Sequence, residues 1–236
     1  MSSGTQRASV IAWSIHLLTA SGAVLALFAL RAIAVGRFET AVHLMLVALA
    51  VDAVDGTLAR AARVTVHAPA IDGRRLDDIV DYLNYVVVPV FFLGAAGLVT
   101  HPAWLAAPVL ASAFGFAQVD AKTEDDFFLG FPSYWNVLAI YLWLFDAGAL
   151  VSTLSIALLS LAVFVPLKYL YPSKLEPRWL RRALAVGGVV WCSTLAACAG
   201  TPDWTRAFFL RELSLLYPAW YLGLSFVRGG YRTKPP

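Results

Sequence analysis

The sequence predicts an all-α, polytopic integral membrane protein with about eight transmembrane helices. Of its 236 residues, 60% are hydrophobic and only 14% are charged, and the mean hydropathy is +0.71. A spanning helix needs about 20 mainly apolar residues, so this composition is typical of a chain that crosses a bilayer several times. The helices and their short loops use the whole length, so residues 1–236 are predicted to form a single transmembrane domain.

Apolar stretches separated by polar or helix-breaking residues place the predicted helices in order along the chain. The first stretch begins after Arg7 and is too long for the core of a signal peptide. Arg31 and Arg37 follow it without a clear cleavage site, so this helix is predicted to be retained. The eight predicted helices cover residues 9–35, 39–62, 74–99, 102–120, 134–148, 150–171, 180–200 and 204–227.

The positions of the basic residues predict how these helices are oriented. With a cytoplasmic N-terminus, 14 of the 18 Lys and Arg residues fall on the cytoplasmic side and four on the other. Cytoplasmic loops of membrane proteins carry such an excess, so both termini are predicted to face the cytoplasm. The net charge of +3 is then explained by topology and contacts with anionic lipid, and it does not indicate nucleic-acid binding.

Four aspartates at helical spacings stand inside this apolar sequence. Asp52 and Asp55 are three residues apart near the cytoplasmic end of the second predicted helix, and Asp77 and Asp81 are four apart at the start of the third. Each pair shares a helix face, and a turn between the helices would make them neighbours, so the four carboxylates can converge. Because acidic residues are costly near a bilayer, this cluster predicts a functional site.

The chemistry of the cluster favours a hard metal ion. Carboxylates without a nearby His or Cys ligand suit Mg²⁺ or Mn²⁺, and two ions would balance four aspartates better than one. Gly56 and Gly73 lack a Cβ and would let a bulky ligand approach the helix backbone, although close helix packing is an equal explanation for either glycine. Arg60 lies approximately on the face of Asp52 and Asp55, where it could reach a phosphate.

Other reactive residues carry weaker indications. Cys192 and Cys198 are six residues apart, on different faces of one predicted helix, so they are expected to be packing residues without a mutual disulfide. Of the four histidines, only His67, in the connection after Arg60, is expected near the site.

The acidic segment also resembles a family signature. Residues 52–81 contain Asp-x-x-Asp-Gly-x-x-Ala-Arg, a spacer of twelve residues, and Gly-x-x-x-Asp-x-x-x-Asp. At every specified position, this pattern resembles the signature of the CDP-alcohol phosphotransferase family. The spacer is longer than in most members and resembles that of the bacterial phosphatidylcholine synthase branch, as do residues 127–136 and 165–173.

This resemblance implies transfer of the phosphatidyl group of CDP-diacylglycerol to choline, with release of CMP. It also implies a homodimer in a bacterial inner membrane, with the active site facing the cytoplasm. The implied metal ligands are Asp52, Asp55, Asp77 and Asp81. Asp81 would also act as the base that takes the proton of the choline hydroxyl. The implied residues of the CDP-diacylglycerol site are Asp52, Gly56, Ala59, Arg60 and Gly73.

Recognition of choline is expected to depend on aromatic faces, because a quaternary ammonium has no N–H to donate and is attracted to π-systems and carboxylates. The candidates on the cytoplasmic side are Tyr82, Tyr85, Asp120, Glu124, Tyr134 and Trp135. Aromatic residues at a membrane interface also occur as belt residues, so the identity of this site stays open.

Two other interpretations remain at this point. The acceptor could be serine, inositol, glycerol phosphate or a second lipid, although an acceptor that carries phosphate should need additional Arg and Lys residues. A cation-coupled transporter also places carboxylates inside a membrane. Transport sites usually lie near the midplane between repeats, whereas these aspartates lie beside Arg60, Arg74 and Arg75, and no repeat is apparent.

Overall fold

The computed structural model describes residues 3–119, 123 and 127–229, without the side chains of Ser3, Thr5 and Pro202. The α-helices are α1 Ser3–Ala34, α2 Phe38–Ala61, α3 Val64–His67, α4 Gly73–Asp81, α5 Val88–Ala95, α6 Ala106–Ala117, α7 Trp135–Leu144, α8 Ala149–Ala162, α9 Arg178–Gly200, α10 Pro202–Ala207, α11 Leu210–Ser214 and α12 Leu216–Arg228. A π-helical turn, Tyr82–Val87, joins α4 to α5, and 3₁₀ turns occur at Pro102–Leu105 and Pro172–Lys174. Two short strands, β1 Phe127–Leu129 and β2 Lys168–Leu170, pair antiparallel. The predicted helical class is confirmed.

Four helical segments in the described part of the chain are long and apolar enough to cross a membrane. They are Gln6–Ala34, Phe38–Ala61, Gly73–Ala95 and Arg178–Gly200. Three shorter apolar helices follow the same order as the prediction, at Pro102–Ala117, Trp135–Leu144 and Ala149–Ala162. The last predicted helix, 204–227, is divided into α10, α11 and α12, and Phe209 between the first two has a left-handed backbone with φ of 52°.

Large apolar side chains cover the outside of these helices. Leu17 on α1 is 71% exposed, Leu158 on α8 is 68% exposed and Val189 on α9 is 68% exposed. Water would not favour such a surface, whereas lipid tails would cover it. The chain is therefore a helical protein embedded in a membrane.

The core lies where α1, α2, α5, α7 and α9 meet. Its fully buried members include Val42, Phe92, Leu93, Ile140 and Leu195. On α1, the small residues Ala26 and Ala29 lie in this core and allow the neighbouring helices to approach closely. Because α1 packs along both α2 and α4, it holds the two acidic helices side by side.

The sixth predicted helix, 150–171, is wrong at its C-terminal end. Helix α8 stops at Ala162, and residues 168–170 instead form β2 against β1. Pro166 has no backbone N–H and cannot continue a helical hydrogen-bond pattern. The strand partner lies about forty residues earlier in the chain, so local hydrophobicity could not reveal it.

Gly130 closes the connection after β1 and permits no side chain. Its φ is +81°, and an added Cβ would overlap the carbonyl oxygen of Val163. We expect Gly130→Ala to lower the free energy of unfolding by roughly 2–4 kcal/mol, because both the backbone conformation and the space exclude a Cβ. Thermal unfolding in detergent measures this. Gly148→Ala is the control, since Gly148 has a φ of −62° and open space where a Cβ would lie; equal melting temperatures for the two variants would contradict the prediction.

Candidate active site

Local sequence explains how the chain turns between the two acidic helices. After α2, Arg63 adopts a left-handed conformation with φ of 49°, and the short helix α3 leads into the turn. Asp72 then caps α4, because its carboxylate accepts hydrogen bonds from the backbone N–H groups of Arg74 (3.1 Å) and Arg75 (3.2 Å). Helix α4 thus begins at Gly73 and places Asp77 near its N-terminus, where the helix dipole favours negative charge.

Three aspartates from α2 and α4 converge at the predicted position. Asp52, Asp55 and Asp77 each offer a carboxylate oxygen, and these oxygens lie within 4.8 Å of one another. Asp55 is buried, with 4% of its surface exposed. Like charges at this spacing repel, and burial strengthens the repulsion, so the cluster could hold a positive ion. The donor set consists of oxygen atoms, which suits a hard divalent cation.

Asp81 lies beside this group of three. It lines the same cleft, whose walls also include Thr19 and Gly22 of α1 and Tyr85 of the π-helical turn. The cleft has a volume of about 10 Å³, which matches a water molecule or an ion but is far too small for a nucleotide. A larger ligand would therefore have to extend out of the cleft, beyond the carboxylates.

Tyr85 forms a hydrogen bond with the acidic cluster. Its hydroxyl donates a hydrogen bond of 2.6 Å to Oδ2 of Asp52. Tyr85 lies in the π-helical turn, where the Val88 N–H donates to the carbonyl of Leu83, five residues back. Pro89 follows and has no N–H for the Tyr85 carbonyl, which favours this wider turn. The hydrogen bond fixes the orientation of one carboxylate in the cluster.

The π-helical turn is held against α1 by Asn84. The buried Asn84 amide donates to the carbonyl oxygens of Gly22 and Val80, each at 3.0 Å. A Cβ on Gly22 would lie 2.5 Å from Val80 Cγ1, so the absence of a side chain there allows the close approach of α1 and α4. Helix α1 thereby forms the third wall of the site.

The residues assigned to the CDP-diacylglycerol site lie in different surroundings. Gly56 lies one turn beyond Asp52, and a Cβ on it would be 3.4 Å from Nη1 of Arg60. Arg60 is exposed and donates to Thr57 Oγ1 at 3.1 Å. Ala59 packs with the cluster formed by Ala12, Ile15, Val64 and Ala68. Gly73 faces His16 of α1, whose Cε1 would be 3.2 Å from an added Cβ.

The choline candidates separate into two groups. Tyr85 and Tyr134 lie together, with ring centroids 6.3 Å apart. Tyr82 instead donates to the carbonyl of Val109 (3.0 Å), and Trp135 is fully buried and donates to Ser112 Oγ (2.7 Å). The other two candidates, Asp120 and Glu124, lie outside the described residues.

Further aromatic residues extend from this pair, and sequence reasoning did not assign them. Tyr134 Oη lies 3.3 Å from Tyr221 Oη, and the Tyr221 hydroxyl donates to the Leu170 carbonyl at 2.9 Å. Phe131 stands 6.4 Å from both Tyr134 and Tyr169 between ring centroids. Burial raises the pKa of Tyr169, so its phenol is neutral. The tyrosine cluster is defined by Tyr85, Phe131, Tyr134, Tyr169 and Tyr221.

Two remaining predictions concern the cysteines and His67. Cys192 and Cys198 are free thiols, as expected. His67 lies on α3 and is not among the residues that line the acidic cleft. Instead, His16 of α1 lies beside Gly73 of the acidic segment. Because His16 is far from this segment along the chain, the sequence gave no indication of the contact.

Comparison with known proteins finds similar sequences among curated phosphatidylcholine synthases. No protein-family model matches the chain. The phosphatidylcholine synthase of Legionella pneumophila subsp. pneumophila is 39% identical over 231 residues, covering 93% of this chain and 89% of the relative. That of Legionella bozemanae is 39% identical, covering 89% of this chain and 100% of the relative. That of Borreliella burgdorferi is 31% identical, covering 95% and 97%.

Proposed function

The chain belongs to the phosphatidylcholine synthase family, and we propose that it forms phosphatidylcholine by an in-line displacement at the acidic cluster, from CDP-diacylglycerol and choline. The observation that carries this proposal is the convergence of Asp52, Asp55 and Asp77 in a chain that matches these synthases over most of its length. CMP is the second product. The membrane site suits this reaction, because one substrate and one product are lipids.

We propose that Asp52, Asp55 and Asp77 hold two divalent cations, Mn²⁺ or Mg²⁺, and that Asp81 completes the site. When bound, these ions offset the negative charge of the pyrophosphate and of the departing CMP. Tyr85 supports the arrangement, since its hydrogen bond to Oδ2 fixes the orientation of the Asp52 carboxylate toward the cluster.

Asp81 is proposed as the base. The choline hydroxyl oxygen attacks the phosphorus that carries diacylglycerol, and Asp81 accepts the hydroxyl proton. The bond between this phosphorus and the bridging oxygen of CMP breaks, and CMP leaves with the bonding electrons. Asp81 is close enough for this role, because it lines the same cleft as the three close carboxylates and follows Asp77 by about one helical turn on α4.

The donor nucleotide is proposed to lie between the helices at Gly56 and Gly73. Arg60 is exposed one turn beyond Gly56, and its guanidinium has further N–H groups for the pyrophosphate besides the bond to Thr57. Ala59 supports this wall through its packing against α1 and α3.

Choline is proposed to bind at the tyrosine cluster. Tyr85 connects the cluster to Asp52, and Tyr134 lies next to it, so an ammonium group there would be close to the acids that act on the hydroxyl. Asp120 and Glu124 stay candidates for the carboxylate partner. Tyr82 and Trp135 are assigned to packing against α6, because their polar atoms bond there.

Tyr134 offers a direct test of the choline site. We expect Tyr134→Leu to raise the KM for choline roughly threefold to thirtyfold, because an aromatic face for the cation is lost. Tyr134→Phe is the matched control, since it keeps the face and removes only the contact with Tyr221. Steady-state kinetics with each substrate varied in turn measures both effects. A choline KM that changes equally in the two variants would exclude the ring face from recognition.

The finer membrane arrangement is also proposed: eight spans, cytoplasmic termini, and a site that faces the cytoplasm of a bacterial inner membrane. The clustering of Arg60, Arg74 and Arg75 at the acidic ends of α2 and α4 supports this orientation. Family resemblance supports a homodimer.

The proposed orientation can be tested by cysteine labelling. Cysteines introduced at Arg75 and at Gly97, in a chain without Cys192 and Cys198, should react with impermeant reagents from opposite sides of the membrane.

The acceptor is tested by CMP release. Detergent-purified protein receives CDP-diacylglycerol and Mn²⁺ with choline, serine, inositol or glycerol 3-phosphate offered separately. Release with choline alone is expected. Release with another acceptor would keep the phosphotransferase chemistry and overturn the choline assignment, whereas the absence of release with every acceptor would contradict the proposed reaction.

A further inference from the structure

His16 on α1 is buried in an unusual way. Only 7% of its surface is exposed, and its Nε2 has no hydrogen-bonding partner among the described residues. A buried polar atom without a partner destabilises a fold, and such atoms are rare in native proteins. An apolar residue would pack at this position without that cost, so the histidine indicates a partner other than the described residues.

The position of His16 indicates what that partner is. The ring lies against the first residue of α4, with Cε1 3.2 Å and Nδ1 3.8 Å from the place of a Cβ on Gly73. A larger residue at position 73 would displace the ring. His16 therefore borders the glycine that the proposed nucleotide site requires.

His16 also shares the cleft-lining face of α1. Thr19 and Gly22 follow it by three and six residues, and both line the cleft beside Asp52, Asp55 and Asp77. His16 lies one turn from Thr19 on α1, and its ring packs beside Gly73, the first residue of α4. Its neighbour Ile15 packs in the same cluster as Ala59, which directly precedes the exposed Arg60. This end of the site is where the proposed function places the nucleotide, which is too large for the cleft.

We infer that His16 is a binding residue for the cytidine nucleotide of the donor, with its ring N–H donating to a polar atom of the nucleotide beside Gly73. This inference rests on the proposed function. An imidazole nitrogen that carries hydrogen is a donor in both the neutral and the charged ring, and a nucleotide presents oxygen acceptors on its base, sugar and phosphate. Binding would give Nε2 the partner that it lacks among the described residues.

The test compares CMP affinity in two variants. With Mn²⁺ present, His16→Leu is expected to weaken CMP binding about tenfold, the value of one lost hydrogen bond. His16→Gln should restore part of the affinity, because its amide can place an N–H near the position of Nε2. Calorimetry with the full-length protein in detergent measures binding, and the KM for choline should stay unchanged in both variants.

His43 on α2 provides the matched control. Its Nδ1 lies 2.7 Å from the carbonyl oxygen of Glu39, and its Nε2 lies 3.0 Å from that of Ala196. His43→Leu should lower the melting temperature and leave CMP affinity unchanged. His16→Leu should show the opposite pattern, with an unbound protein at least as stable as the wild type, because Nε2 makes no hydrogen bond to any of the described residues.

The outcomes separate the two proposals. Wild-type CMP affinity in His16→Leu would overturn the role of His16 and leave the proposed function intact. A wild-type protein that does not bind CMP at all would contradict both.

Discussion

Asp55→Asn is expected to lower the rate of CMP release by about a thousandfold or more, because a metal ligand that stabilises developing charge contributes several kcal/mol to the barrier. Asp55 is the most buried of the three close aspartates, and it shares the 4.8 Å cluster with Asp52 and Asp77. Asparagine keeps the size of the side chain and removes its charge. The loss therefore tests the cluster rather than the packing.

A stability measurement separates metal binding from catalysis in this variant. Mn²⁺ at one hundred times its Kd should stabilise the wild type by about 2.7 kcal/mol per site, whereas Asp55→Asn should lose most of this gain. Without metal, Asp55→Asn should be at least as stable as the wild type, because one of three mutually repelling carboxylates is gone.

Asp78→Asn is the control for this experiment. Asp78 stands next to Asp77 on α4 and pairs with Arg74 at 4.0 Å, outside the close group. It should keep both activity and the response to Mn²⁺. A full Mn²⁺ response in Asp55→Asn would contradict the assignment of the metal centre.

The acidic cluster could be predicted from sequence because its geometry is local. Asp52 and Asp55 share one helix face and Asp77 lies near the start of the next long helix, so helical periodicity and one turn bring them together. The structure adds the cap at Asp72 that fixes the start of that helix. The cap and the Asp52–Asp55 pair are each encoded within a few residues, and one turn of the chain joins the two helices.

The rest of the site depends on contacts that periodicity does not contain. Tyr134 meets Tyr221 across 87 positions of the chain, and Asn84 meets Gly22 across 62. The π-helical turn shifts which residues of the third predicted helix face α2, and only Pro89 gave a local reason for it. His16 was missed for the same reason, since its contact with Gly73 exists only after α1 and α4 have packed.

Asp81→Asn is expected to lower kcat by about a hundredfold to ten-thousandfold, the usual contribution of a general base. Asparagine cannot accept the proton of the choline hydroxyl, and its similar size leaves the cleft intact. Asp81 lines the cleft but is not one of the three close carboxylates, and we therefore propose for it a role different from that of Asp55.

The two aspartate variants should therefore differ in binding as well as in rate. Asp81→Asn should keep most of the stabilisation by Mn²⁺ and bind CMP with nearly wild-type affinity, while Asp55→Asn loses both. Thermal unfolding with Mn²⁺ and calorimetry with CMP measure this difference on the same preparations that are used for kinetics. If Asp81→Asn lost the Mn²⁺ response as fully as Asp55→Asn, Asp81 would be a metal ligand first, and another group would have to take the proton.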